Sequence, residues 1–329
     1  MSDYPMLISN KLHSFRNFVM QYFILLSLPV LLCLSIIVIV ILCFKKKWKV
    51  ASVLMIVVLL FNWYFKIYAI NFHSQSDSGN RFRILSYNIH SQGAYLDTSR
   101  YNPHILFEVI KKIDSDVILF QEYDTNRCAI LRDSLLCLYP HFHYTVGTRS
   151  YGQNAIFSKY PIKSVSNISK NELINFYCID YNSLPISIVN CHLESNNIGQ
   201  LLQASKTKLV FFIKPKIYYS KLQQAKVIRS NQSLLISKAI NSDVPFIVGG
   251  DFNDVCGSNC LSTLENKNLR DSWWFGGFGF GITYSDFNLL KFRLDHILYS
   301  DHFKCLYSEV QKENFSDHSL LISTFRIKK

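Results

Sequence analysis

Pro245–Asp254 reads PFIVGGDFND, a short apolar run closed by an acid and an amide. A run of this length, bounded by turn formers, reads as a buried strand and is too short for a lasting helix. The end of such a strand is where a rigid sheet hands a side chain to a pocket rim. Side chains alternate along an extended chain, so Asp251 and Asn253 are expected to face the same way. Five other blocks share the layout: Asn88 closes RFRILSYN, Glu122 follows DVILFQ, His192 lies in SIVNCHLES, Asp295 in FRLDHIL, and Asp317-His318 opens HSLLISTF. Six strand ends of one domain can converge although they are distant in sequence.

Between these blocks, apolar runs alternate with amphipathic ones. Helices are expected near Pro103–Ile113, Arg127–Leu136 and Lys221–Asn241, and further strands near Phe176–Tyr181 and Ile186–Cys191. This mixed α/β pattern, dominated by strands, suits one large sandwich with outer helices. The run GGFGFG at Gly276–Gly281 lacks the Lys-Ser/Thr of a phosphate-binding loop and leads into the strand-like ITYS, so it reads as a turn.

Residues 1–72 differ from the rest. No charge interrupts Asn17–Phe44, and a second apolar run starts at Val50. Two membrane-crossing helices are expected, at about residues 20–44 and 50–70, followed by a polar linker at 73–80 and a catalytic domain at 81–329. A cleaved signal would have a shorter apolar core ending at small residues, whereas this run ends at KKKWK. Lys45, Lys46, Lys47 and Lys49 in the tight loop favour the cytosol, which puts the C-terminal domain on the extracytoplasmic side. Two spans are too few for a channel or transporter.

The net charge of +12 has two sources. Residues 1–80 hold seven Lys or Arg against Asp3 and Asp77, a net +5, so residues 81–329 carry the remaining +7. Ser195–Ser242 contains eight Lys or Arg and no acid, and Lys206, Lys208, Lys214 and Lys216 are candidate substrate-binding residues for a phosphate backbone or an anionic lipid. A solvated helix face with a loop would give the same composition. None of the nine cysteines belongs to a zinc-type grouping with histidines.

Phosphoester hydrolysis needs a cation, a water held opposite the leaving oxygen, and donors for the charge that builds up. The Glu122 carboxylate and Asn88 amide favour a hard ion, Mg2+ or Mn2+. Asp251 is the candidate to activate the water, with Asn253 positioning it. Asp295, costly to bury alone, is expected to pair with His318, leaving the other imidazole nitrogen as a donor to a phosphoryl oxygen. His192 would be a second donor.

SYNIH, FQEYD, NCHLES, GGDFND, RLDHILYS and SDHS, in this order, resemble the endonuclease/exonuclease/phosphatase superfamily over about Arg81–Arg326. Together with the apolar hairpin, they look most like its membrane-anchored bacterial members. The resemblance implies a four-layered sandwich, two packed mixed β-sheets flanked by helices, with water attacking phosphorus in a magnesium-dependent step at one end. It implies that Asn88 and Glu122 serve the metal, with Asp317 as a further acidic ligand. It also implies that His192 binds phosphate, that Asp251 and Asn253 handle the water, and that Asp295 and His318 form an acid–histidine couple. His90 departs from the pattern, standing where some members have Asp or Arg. Expected partners are a phosphoester substrate (nucleic acid, lipid or small ester) and the bilayer, with no obligate protein partner. A non-catalytic scaffold of the same fold is the competing reading.

Overall fold

The computed structural model describes residues 29–72, 81–90, 102–145, 153–167, 173–196, 215–286 and 290–328. It divides into two compact units. One contains α1 (Pro29–Phe44) and α2 (Trp48–Phe65). By length and composition, α2 is apolar enough to cross a membrane, with mean hydropathy 1.7, while α1 is shorter among the described residues. Positions 20–28 of the expected first span lie outside those residues. Helix α2 ends before the residue 70 expected of the second apolar run: Lys66 turns left-handed, and the Asn62 side chain caps the turn by bonding both the N–H and the carbonyl of Tyr68.

The second unit takes up the chain at Ala69. Here β1 (Ala69–Ile70) pairs with Phe278–Gly279, a strand inside the glycine-rich turn, so the folded body begins ahead of the expected residue 81. The next strands are β2 (Arg81–Asn88), β3 (Val117–Tyr123), β4 (His141–Thr145) and β5 (Gln153–Ser158). After them come β6 (Ile162–Asn167), β7 (Ile174–Tyr181), β8 (Leu184–His192) and β9 (Phe246–Asp251). β10 (Arg270–Asp271), β11 (Phe278–Gly279), β12 (Tyr284–Asp286) and β13 (Leu290–Phe292) are short, and β14 (Asp295–Tyr299), β15 (Phe303–Gln311) and β16 (Leu320–Ile327) complete the set.

Two six-stranded mixed sheets form the body, one ordered β15-β16-β2-β3-β5-β4 and the other β10-β14-β9-β8-β7-β6. Each has one parallel pair at its centre, β2 with β3 and β8 with β9. Alternation fixes the layers. Phe82, Ile84, Val117, Leu119, Ile186, Ile188, Ile247 and Ile297 fill the space between the sheets. Leu85, Tyr87, Ile118 and Phe120, one step out of phase, face α3 (Pro103–Ile113) and α4 (Ala129–Leu136). Burial of each such Ile or Leu contributes about 1.5–3 kcal/mol. Asn102 caps α3 by accepting from His104 N and Ile105 N, with Pro103 in the first turn.

Within the inner face, composition changes along the strands. Continuing the same parity, Ile84 gives way to Ser86 and Asn88, Leu119 to Gln121, Ile188 to Asn190 and His192, and Ile247 to Gly249 and Asp251. The sandwich is therefore apolar at one end and polar at the other. Gly250 lets β8 and β9 meet: its φ is 146°, and a Cβ there would lie 1.9 Å from the carbonyl oxygen of Cys191. No disulfide links any of the nine cysteines.

Candidate active site

Register brings the first three groups together. His192 on β8 and Asp295 on β14 both pair with Asp251 on β9, so the three lie side by side across one sheet. The facing sheet contributes Asn88 and Glu122 from the ends of β2 and β3. Asp251 Oδ2 is the meeting point. It accepts from Asn88 Nδ2 at 3.0 Å and lies 3.7 Å from His192 Nε2 and 3.6 Å from His318 Nε2. Asn88 Nδ2 also reaches Glu122 Oε1 at 3.2 Å, and His192 Nε2 lies 3.8 Å from that oxygen.

A bulge aims Glu122 inward. The β3–β5 register shifts between Phe120 and Tyr123, and Glu122 takes a φ of 52°, which a side-chain-bearing residue adopts at a cost of about 1–3 kcal/mol. Burial alone would raise its pKa, but the hydrogen bond from His90 and the charge of His192 overcome that and hold it at about 2.

The acid–histidine couple is formed. His318 Nδ1 lies 2.8 Å from Asp295 Oδ2, and the buried Asp295 is anchored by its own N–H, which donates to Thr283 Oγ1 at 3.0 Å. A bridge from Tyr284 to His318 and the bond from Ser285 N to the Asp317 carbonyl clamp the Asp317-His318 segment against β12. Burial disfavours the charged imidazole, yet the Asp295 and Asp251 carboxylates raise the His318 pKa well above its ordinary value. Asp251 is raised too, because burial outweighs the pull of His318.

One expectation needs correction. Strand alternation does not carry Asn253 to the face of Asp251: β9 ends at Asp251, Asn253 is left-handed at φ 50°, and its N–H donates to Asp251 Oδ1 at 2.8 Å in a tight turn. Its side chain donates to the Leu193 carbonyl at 3.0 Å. The Asn88 amide is hydrogen-bonded at both ends. Its Oδ1 accepts from His90 N at 3.0 Å, and its amino group braces Glu122 and Asp251.

Sequence reading missed His90 as a member of this cluster. Its Nδ1 lies 3.1 Å from Glu122 Oε2 and 3.7 Å from Asp317 Oδ1. The available signal was parity, since His90 stands two positions beyond Asn88. Lys206, Lys208 and Lys214 lie outside the described residues, and Lys216 is described only as backbone in α5 (Pro215–Ala239).

The donor set fits a divalent ion. Glu122 and Asp317 supply carboxylate oxygens of the kind a hard ion takes, each lying against His90 Nδ1, at 3.1 and 3.7 Å. The triplet Asp251, Asp295 and His318, with ligand atoms within 4.8 Å of one another, has metal-like spacing. Its Asp295–His318 hydrogen bond already engages two of those atoms.

A sequence profile described as the endonuclease/exonuclease/phosphatase family matches residues 85–318. The chain belongs to this family. No curated protein matches it by sequence. Among solved structures, an endonuclease/exonuclease/phosphatase from Bacteroides vulgatus is similar at 16% identity and TM-score 0.56, over 76% of this chain and 100% of that one. SmcL is similar at 20% identity and TM-score 0.53, over 75% and 99% respectively. Truncated TDP2 of Caenorhabditis elegans is similar at 17% and 0.52, over 74% and 97%. These likenesses extend to the fold, and the family is one of phosphoester hydrolases.

Proposed function

We propose that the chain is a membrane-anchored, divalent-metal-dependent phosphoesterase that uses an activated water. The observation that carries this reading is the convergence on Asp251 Oδ2 of Asn88, His192 and His318, with Glu122 beside them. Bound Mg2+ or Mn2+, held by Glu122 and Asp317, would neutralise phosphate charge. The protein's own groups do the rest. Asp251 receives the proton of the water as the new P–O bond forms, and the ester P–O bond breaks with the leaving oxygen taking up a proton from solvent. His318, kept protonated by Asp295, donates from Nε2 to a phosphoryl oxygen, and His192 donates from Nε2 to the same group. Asn88 holds Asp251 and Glu122 at their spacing, and Asn253 fixes the turn that orients Asp251.

In this reading residues 1–68 form the anchor, and the catalytic domain, on the extracytoplasmic side, includes β1 from Ala69 as well as the expected 81–329. The hydropathy of α2 and the lysines of the α1–α2 loop support it. A purified full-length chain should hydrolyse one class among DNA, RNA, phospholipid, polyprenyl diphosphate and inositol phosphate substrates with magnesium, and none with chelator. Asp251→Asn and His318→Ala should each lower turnover at least about a hundredfold while the circular dichroism stays unchanged. Near-normal rates in either variant would remove the assigned roles, and no turnover on the whole panel would favour a binding scaffold.

A further inference from the structure

The glycine-rich segment that carries β11 is uncharged from Ser272 to Ser285, and so is the segment 67–72 that carries β1. The two meet as a ribbon, with Ala69 opposite Gly279 and Ile70 opposite Phe278. Alternation sorts the side chains. Ala69 is buried, and Asn71 turns toward the body, where its amide donates to the carbonyls of Trp274 and Gly277 at 3.0 and 2.8 Å. Ile70 and Phe72, out of phase with them, are 56% and 87% exposed, and Phe278 is 55% exposed. Ile70 pairs with Phe278 across the ribbon and the Phe72 and Phe278 rings stand 6.1 Å apart, so the three make one apolar cluster.

The backbone beneath this cluster is fixed. Trp273, buried under the turn, donates from Nε1 to the Gly279 carbonyl at 3.1 Å, and a Cβ on Gly277 or Gly281 would come within 2.5 Å of its indole. Phe278 is held out of the core by the packing behind it. An apolar cluster presented in this way marks an interaction surface.

The chain itself indicates what covers it. In the membrane-anchored reading above, on which this inference rests, the chain leaves the bilayer at the end of α2, where Trp63 and Tyr64 suit a headgroup boundary. Lys66–Ala69 alone separate α2 from Ile70, so no more than about 18 Å of extended chain stands between Phe65 and Ile70. The residues that follow, HSQSDSGN at 73–80, are too polar to cover an apolar face.

We propose that Ile70, Phe72 and Phe278 form a bilayer-contacting surface, which sinks into the headgroup boundary of the leaflet where α2 emerges. The ribbon enters without a charge to desolvate. The catalytic body is then held at the membrane by two contacts, the covalent tether and the ribbon, which keeps it at headgroup level.

Photocrosslinking of the full-length chain in phospholipid nanodiscs tests this. The photoreactive residue p-benzoylphenylalanine is placed singly at Phe278, at Phe72, at Val57 of α2 and at Ile130 of α4. Phe278, Val57 and Ile130 have matched exposures of 55%, 54% and 54%, so accessibility alone predicts equal capture. After irradiation, mass spectrometry reads what each probe has bonded. The expected result is lipid adducts at Val57, Phe72 and Phe278, with the yield at Phe278 at least about tenfold above that at Ile130. All four positions are exposed, and unchanged circular dichroism checks that the fold is kept. Lipid adducts at Val57 with none at Phe72 and Phe278 overturn the surface and leave the anchor standing. Equal lipid yields at Phe278 and Ile130 overturn it too, as unspecific capture. Adducts from Phe278 to a second copy, or to the chain's own residues, overturn it in favour of a protein-covered face. No lipid adduct at Val57 overturns the anchored reading along with it.

Discussion

Three side-chain-bearing residues of the site, His90, Glu122 and Asn253, have φ values of 47°, 52° and 50°. Each sits just at or past a strand end, where a turn of the backbone points a polar group somewhere that a regular strand would not reach. Asn253 gives the cleanest measurement, since asparagine tolerates this conformation and alanine does not. Asn253→Ala should be less stable than Asn253→Gly by about 1 kcal/mol, although both lose the bond to the Leu193 carbonyl. Paired urea unfolding curves would measure the difference, and equal midpoints would refute the strain. Such dihedrals explain why residue identities were legible in the sequence while their directions were not. Asp251 could be placed from PFIVGG because a strand ends there. Asn253 was misdirected because alternation stops with the strand, and the hydrogen bonds of the Asn88 amide leave no trace in spacing.

Among the elements, the pairing of the two sheets near the site depends on side-chain amides. Asn190 of β8 donates to the Phe120 and Ala155 carbonyls of the opposite sheet, both at 3.0 Å, and accepts from Gln121 Nε2 at 2.8 Å. Asn154 adds a bond to the Asn190 carbonyl at 3.2 Å. The Phe120 carbonyl stands where β3 leaves its register with β5, so this buried ladder secures the bulge that turns Glu122 into the site. Asn190→Leu would leave two buried carbonyls without that donor, at about 1–3 kcal/mol each, and release the bulge. The variant should melt at lower temperature and need more metal for half-maximal turnover. If thermal stability falls but the metal requirement is unchanged, the ladder is a structural element only. The layered architecture itself was readable, because β2, β3, β8 and β9 are apolar runs with clear ends. The ladder was not, since Asn190 and Gln121 read as ordinary polar strand exits until the two sheets are seen to face each other.

At the scale of the whole molecule, the catalytic body keeps a second charged cluster apart from the site, and this one should set its acid stability. Asp271 is buried, accepts from Trp273 N at 2.9 Å, and pairs with the buried Arg293 guanidinium at 2.8 Å. Burial would raise its pKa, but Arg293 and His296 reverse this and hold it well below the usual carboxylate range. A carboxyl whose folded pKa is depressed binds fewer protons folded than unfolded at pH values below its ordinary value of about 4. Its contribution is therefore complete above that value and is lost as pH falls through the window beneath it. Asp271→Asn leaves Arg293 buried without its counter-charge and should cost about 3–5 kcal/mol at pH 7. The gap between wild type and variant should then narrow steadily from pH 4 downward, because the wild type loses by protonation what the variant already lacks. Urea unfolding of both proteins at pH 7 and pH 3, followed by tryptophan fluorescence, measures it. A gap that stays constant across the two pH values would mean that Asp271 is not ionised in the native protein.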